Sequence, residues 1–179
     1  MTEKSAGIIL VTGIMASGKS TVAQLLAQRF AKSVHVRGDI FRKMIVNHRK
    51  EVEPTAGDEE LEQLRLRYRL AAHCADAYFR AGFTVIVQDV VIGPMLGEFV
   101  SFVQSRPFRV VVLCPNTDAV TRREAGRSKK GYGAWTVEQL DNVLRSETPR
   151  VGVWLDSSEQ TPDETVNDIL KKWDEALLS

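Results

Sequence analysis

Residues 13–20 read Gly-Ile-Met-Ala-Ser-Gly-Lys-Ser and satisfy the phosphate-loop pattern G-x-x-x-x-G-K-[ST] at every specified position. Each specified residue has a chemical task. Gly13 and Gly18 let the backbone turn tightly and approach oxyanions with no side chain in the way. Successive N–H groups, and the positive end of the helix that follows, then point at phosphate oxygens. Lys19 is placed to reach β- and γ-phosphates, and the Ser20 hydroxyl to ligate Mg²⁺. The expected nucleotide contacts are therefore Gly13, Ala16, Ser17, Gly18, Lys19, Ser20 and Thr21, with ATP and Mg²⁺ as cofactors. The competing explanation is a Gly- and Ser-rich turn that holds nothing, and the flanking residues weigh against it.

Phosphoryl transfer to a hydroxyl also needs a carboxylate to orient that hydroxyl and take its proton, with cations to stabilise the charge. Asp39 ends the run Val36-Arg37-Gly38-Asp39 and is the candidate base, with Arg42 one turn on as a further acceptor contact. Helix N-capping is the other role open to Asp39. Asp89 ends Val85-Ile86-Val87-Gln88 and fits either an acid acting on Mg²⁺ through a water or a turn residue. Arg122, Arg123, Arg127, Lys129 and Lys130 form the densest basic cluster; one or two of its arginines are expected to serve phosphate and the rest to be solvated. Arg123 and Arg127 lie one helical turn apart and can reach the same phosphate, so both are candidate catalytic residues alongside Lys19 and Asp39. Arg65, Arg67 and Arg69 alternate along a helix and are expected to be exposed charges. Ser157, Ser158, Gln160 and Thr161 follow the last apolar run and could touch an adenine, although capping explains Thr161 without it.

The elements that must position these residues alternate in kind. Apolar, β-rich runs at 7–12, 33–36, 84–87, 109–113 and 151–155 predict five strands. Helical spacing predicts helices over 21–30, 39–46, 58–81, 95–104 and 116–127, and one opened by a capping box at Thr136. Thr161-Pro162-Asp163-Glu164 opens the last, with proline at the first helical position. Residues 47–57, with Pro54 and Gly57, read as a mobile connection, and 128–134 as a Gly- and Lys-rich loop. Strands separated by helices imply parallel pairing and a three-layer α/β/α sandwich, whose ligands bind beyond the carboxyl ends of the strands. Most of the candidate residues lie just after a strand.

At 179 residues the chain is long enough for one well-cored domain spanning 1–179, and short for two. A net charge of +1 provides no global attraction to nucleic acid or membrane, so anion recognition must come from local patches. The N-terminal residues lack the basic-then-apolar plan of a signal peptide, and no apolar run has membrane-spanning length. A cytoplasmic location is expected. Cys74 and Cys114 are isolated and read as buried thiols, and the three histidines do not join them at zinc spacing.

The phosphate loop, the Asp39 strand end, the segment from Val85 through Asp89 to Gly93 and the Arg122-Arg123-Glu124 helix together resemble chloramphenicol phosphotransferase among the small P-loop kinases, from Ile8 to about Leu170. The resemblance implies a five-stranded parallel sheet in the order 2-3-1-4-5 and a lid over about 127–135. It also implies Asp39 as general base and Asp89 in the acceptor pocket. The 47–57 loop has no counterpart in that pattern, and no motif spells the acceptor.

The leading expectation is thus an ATP-dependent kinase of a small-molecule hydroxyl, of antibiotic or metabolite type. A polynucleotide 5′-hydroxyl or nucleotide-sugar kinase is the second reading, disfavoured for polynucleotides by the near-neutral charge. A nucleotide-binding switch or ATPase is the reading from another class; it lacks a convincing D-x-x-G after a strand and an N-K-x-D motif.

Overall fold

The computed structural model describes residues 4–128 and 131–178, so Lys129 and Lys130 of the predicted basic cluster lie outside the described residues. Five parallel strands, β1 (Ile8–Thr12), β2 (Ser33–Arg37), β3 (Thr84–Gln88), β4 (Phe108–Leu113) and β5 (Val153–Leu155), form one sheet in the order β2-β3-β1-β4-β5. That is the expected order. β1 is central, pairing Ile8 with Val85 on one side and with Phe108 on the other. All five of its residues are buried. This is why it reads as an unbroken apolar run rather than an alternating one: helices cover both faces of a parallel sheet.

The two faces have separate cores. Ile8 and Leu10, with Val85, Val87, Val110 and Val112, pack under α3 (Asp58–Arg80) and α4 (Met95–Phe102), where Tyr68, Ala71, Ala75 and Phe99 close the layer. Ile9 and Val11, with Ile86 and Val111, pack under α1 (Lys19–Gln28) and α7 (Pro162–Lys171), against Val22, Leu26, Phe30 and Trp173. The predicted capping box at Thr136 is present, and the predicted cap at Thr161 forms a second box with Glu164. Thr136 accepts from the Gln139 N–H at the start of α6 (Val137–Asn142), and Thr161 accepts from Glu164 at the start of α7.

Several boundaries differ from expectation. α2 is only Asp39–Lys43, three residues shorter than its apolar spacing suggests. Met44 and Val46 find nothing to cover them and stay exposed, so no packing extends the helix. α5 is Thr117–Ala125, capped by the Asn116 side chain. After α6 the chain runs through a π-helical turn, Val143–Glu147, which nothing in the spacing announced. The connection read as mobile is pinned: Gln63 accepts from the Lys50 N–H and donates to the His48 carbonyl, and Lys50 pairs with Glu59 at 3.0 Å. Both cysteines are free thiols. Among the described residues no helix is long and apolar enough to cross a membrane.

Candidate active site

The phosphate loop leaves β1 and wraps the N-terminus of α1, as a buried strand followed by two glycines and a helix former requires. Gly13 turns there with φ +148°, and a Cβ would overlap the Leu113 carbonyl. Ala16 takes the left-handed conformation without being glycine, at φ 62°, which is the strained point of the loop. Lys19 is buried and curls back over the loop, donating to the Ile14 carbonyl at 2.6 Å and lying 3.4 Å from the Ser17 hydroxyl. Burial pushes its ammonium down to about 7; the Asp89 carboxylate opposes that shift, and Arg127 and Arg67 add to it. Gly18, Ser20 and Thr21 are exposed at the mouth of the loop.

The Ser20 hydroxyl donates to the Gln88 side-chain carbonyl at 3.2 Å. Gln88, which interrupts the apolar run of β3, therefore stands beside the hydroxyl expected to face Mg²⁺. Asp89, the next residue, is 1% exposed and makes a two-armed ion pair with Arg67 of α3, one arm from Nε at 2.8 Å. It also accepts from the Val90 N–H at 2.7 Å, so the turn role foreseen for it is present beside the ion pair. Arg67 is the clear correction to the sequence reading: its side chain is 15% exposed, not solvated, and its Nη1 lies 3.9 Å from Asp39. Arg65 is also engaged, gripping Glu98 from Nε at 2.7 Å. The signal for Arg67 was its place on the apolar stripe between Leu64 and Ala71, where a cation needs a buried partner.

Asp39 is the first residue of α2, and Gly38 is the cap, so N-capping is not what Asp39 does. Its carboxylate instead accepts from Arg42 Nε at 3.0 Å and Lys43 Nζ at 2.6 Å. Burial pushes its pKa upward, but the bonds from Lys43 and Arg42 and the charges of Arg42 and Arg67 outweigh that and hold it at about 2. Gly38 has a separate reason to lack a side chain: a Cβ would overlap the Asp89 carboxylate. Arg42 also pairs with Glu51 of the 47–57 connection.

Arg123 and Arg127 do not converge. Arg123 donates to the Ser157 carbonyl at 2.6 Å, in the loop after β5, while Arg127 pairs with Glu124 at 3.0 Å. Among the described residues the Ser157 hydroxyl is buried without a partner. Within the expected lid, the Tyr132 hydroxyl donates to the Met15 carbonyl of the phosphate loop at 2.7 Å. Trp135 Nε1 donates to the Val52 carbonyl of the 47–57 connection at 2.8 Å. Residues 131–135 and the 47–57 connection thus roof one cleft of about 1400 Å³, lined by the phosphate loop, Asp39, Arg42, Arg67, Asp89, Arg123 and Arg127.

Among the described residues no three or more His, Cys, Asp or Glu gather as a metal site. Ser20 with Gln88 is the donor pair placed for an ion carried in on phosphates, with Asp89 one residue further but engaged by Arg67. An exposed hydroxyl already held by a neutral amide fits that task.

The fold has close counterparts. A sugar kinase from Janibacter sp. HTCC2649 superposes with TM-score 0.70 at 19% identity, covering 96% of each chain. The tunicamycin resistance protein of Deinococcus radiodurans gives TM-score 0.68 at 17% identity, over 98% of this chain and 99% of that one. The Mycobacterium tuberculosis APS kinase CysC, in complex with AMPPNP and APS, gives 0.66 at 17% identity, over 94% and 98%. No curated protein matches the sequence. The family model described as AAA domain matches residues 8–150, which hold the phosphate loop, the Asp39 helix, the Arg67–Asp89 pair and the lid, and the chain belongs to that family.

Proposed function

We propose that this chain is an ATP-dependent kinase that transfers the γ-phosphoryl group of Mg·ATP to a hydroxyl of a small molecule. The observation that carries the reading is that the phosphate loop and the Asp39 carboxylate line one roofed cleft. The described structural neighbours, a sugar kinase and an APS kinase among them, support it. The resistance protein supports an antibiotic-type acceptor, in line with the chloramphenicol phosphotransferase resemblance.

On this reading Gly13, Ala16, Ser17, Gly18, Lys19, Ser20 and Thr21 cradle the triphosphate. Lys19 leaves the Ile14 carbonyl for the phosphates when nucleotide enters. Ser20 would hold Mg²⁺, which when bound spreads and neutralises charge on the β- and γ-phosphate oxygens. Asp39, held as a carboxylate by Lys43 and Arg42, accepts the acceptor's hydroxyl proton and orients its oxygen. Among the described residues of the proposed lid, Arg127 is the cation whose charge acts on Lys19. Arg123 instead fastens the loop after β5. Closure of the lid through Tyr132 and Trp135 excludes water, so that ATP is not simply hydrolysed.

ADP release from Mg·ATP, measured against hydroxylated antibiotics, nucleosides, sugars and 5′-hydroxyl oligonucleotides, tests the proposal. Stimulation by a small alcohol that Asp39→Asn removes and Lys19→Ala abolishes is the expected result. Full activity in Lys19→Ala would overturn the site assignment. Slow release that no acceptor stimulates and Asp39→Asn leaves unchanged would favour the nucleotide switch.

A further inference from the structure

On the α1 face of the sheet a row of polar side chains runs behind the phosphate loop. β2 and β3 pair with His35 beside Ile86 and Arg37 beside Gln88. Ile86 packs under α1, so His35 and Gln88 point to that face as well. α1 meets each of them. Ser20 donates to the Gln88 side-chain oxygen at 3.2 Å, and Gln24, one helical turn on, brings its own side-chain oxygen to 3.0 Å from His35 Nδ1.

Donors and acceptors along the row settle one another's orientation. The ring nitrogen that faces the Gln24 oxygen must carry the proton, so Nδ1 is the N–H and Nε2 keeps a lone pair. Burial and the Arg37 charge hold the ring's pKa down to about 4, with the Gln88 side chain opposing them, so the ring is neutral near pH 7. Nε2 is buried and has no hydrogen-bond partner among the described residues. Gln88 is the side chain that bears on the ring from β3, and its amide nitrogen is the kind of donor this lone pair lacks.

Which way the Gln88 amide faces matters to Ser20. With its oxygen toward Ser20, the amide accepts the hydroxyl proton and leaves the lone pairs of Oγ to a cation. Turned over, it would aim an N–H at that oxygen and at any cation beside it. A carboxylate has two like ends and needs no such control, whereas an amide does.

We infer that His35 is a positioning residue for the metal assigned to Ser20: by taking an N–H of Gln88 on Nε2, it locks the amide with its oxygen toward the hydroxyl. Gln24 acts one step further back, by fixing the tautomer of the ring. This deepens the kinase reading above and rests on its assignment of Ser20.

Two readouts test it. In the full chain without ligand, proton–nitrogen correlation NMR of the histidine rings reports which nitrogen of His35 carries the proton. The Nδ1–H form is expected; the Nε2–H form would sink the inference whatever the activity. The second readout is the Mn²⁺ affinity of the chain with AMPPNP bound, followed by electron paramagnetic resonance. His35→Leu is expected to weaken it about fivefold, the scale of one hydrogen bond, while AMPPNP in the absence of metal binds as before. Gln24→Leu, at an exposed position that the fold tolerates, should shift Mn²⁺ affinity in the same direction. Gln88→Glu offers an oxygen at either end, so adding His35→Leu to it should cost no further Mn²⁺ affinity. A purely structural His35 would weaken metal-free nucleotide equally, or carry its full loss into the Gln88→Glu background, and either result contradicts the inference. So does unchanged Mn²⁺ binding in His35→Leu. Failure of the kinase reading looks different: no acceptor would be phosphorylated, yet the tautomer and the metal response of His35→Leu would remain.

Discussion

Arg67 lays two arms of its guanidinium on the Asp89 carboxylate and reaches to 3.9 Å of Asp39 with Nη1. One cation from α3 is thereby shared between the ends of β3 and β2. Replacing it by methionine leaves Asp89 buried and uncompensated, at an expected cost of about 3–5 kcal/mol. The double variant Arg67→Met/Asp89→Leu should recover much of that loss, since an apolar pair asks for no counter-charge. Urea denaturation of the two variants checks this; a single variant as stable as the parent would deny the pair its structural weight.

Gly38→Ala is expected to destabilise by about 1–3 kcal/mol, in the range of overpacking, because the new methyl group claims space held by the Asp89 carboxylate. Its effect should shrink when Asp89→Ala is already present. A double-mutant cycle by denaturation measures that coupling.

Nucleotide binding should take up a proton near neutral pH. Without ligand, Lys19 titrates at about 7, so above that value it is largely neutral. Phosphate favours its protonated form and raises that value. Affinity for Mg·ATP should accordingly fall as pH rises above 7, with proton uptake visible by calorimetry in buffers of different ionisation enthalpy. Lys19→Met should abolish the uptake.

Asp39 should not limit the acid limb of the pH–rate profile until well below pH 4. Its folded pKa of about 2 lies under the ordinary aspartate value of 3.8, so the stability it lends is present above 3.8 and lost as pH falls through 2. Lys43→Met should move its titration upward, read by carboxyl NMR. An unchanged shift would mean that the 2.6 Å bond from Lys43 does not set the charge state.

Tyr132→Phe removes the hydroxyl bond to the Met15 carbonyl of the phosphate loop while keeping the ring buried. Loss of one hydrogen bond of about 1 kcal/mol predicts roughly fivefold faster nucleotide release. Stopped-flow displacement of a fluorescent ATP analogue measures it.

Where one period and one partner decide a residue's fate, the sequence was enough. The phosphate loop, the alternation of buried strands with amphipathic helices, and the caps at Thr136 and Thr161 were all readable because each depends on neighbours close in the chain. The residues that escaped depend on distant partners. Arg67 looked solvated because Asp89, twenty-two positions later, is what buries it. Gln88 looked like a flaw in a strand until Ser20 was seen beside it. The 47–57 connection looked mobile because its anchors, Gln63 and Trp135, belong to other elements. Arg123 and Arg127 are spaced to share a helical face, yet α5 stops at Ala125, and the carbonyl of Ser157 and the carboxylate of Glu124 draw them to different partners.

The hydroxyl of Thr12, the last residue of β1, both accepts from the Val91 N–H and donates to the Val91 carbonyl, each at 2.8 Å. This double stitch joins the strand that launches the phosphate loop to the segment after β3 that lines the far side of the cleft. If the proposed kinase reading holds, donor and recipient sites would be bolted to a common chassis, their separation set by the protein rather than by whichever molecule occupies it. Lining side chains such as Ile92 and Met95 could then be exchanged without retuning the distance between the two sites.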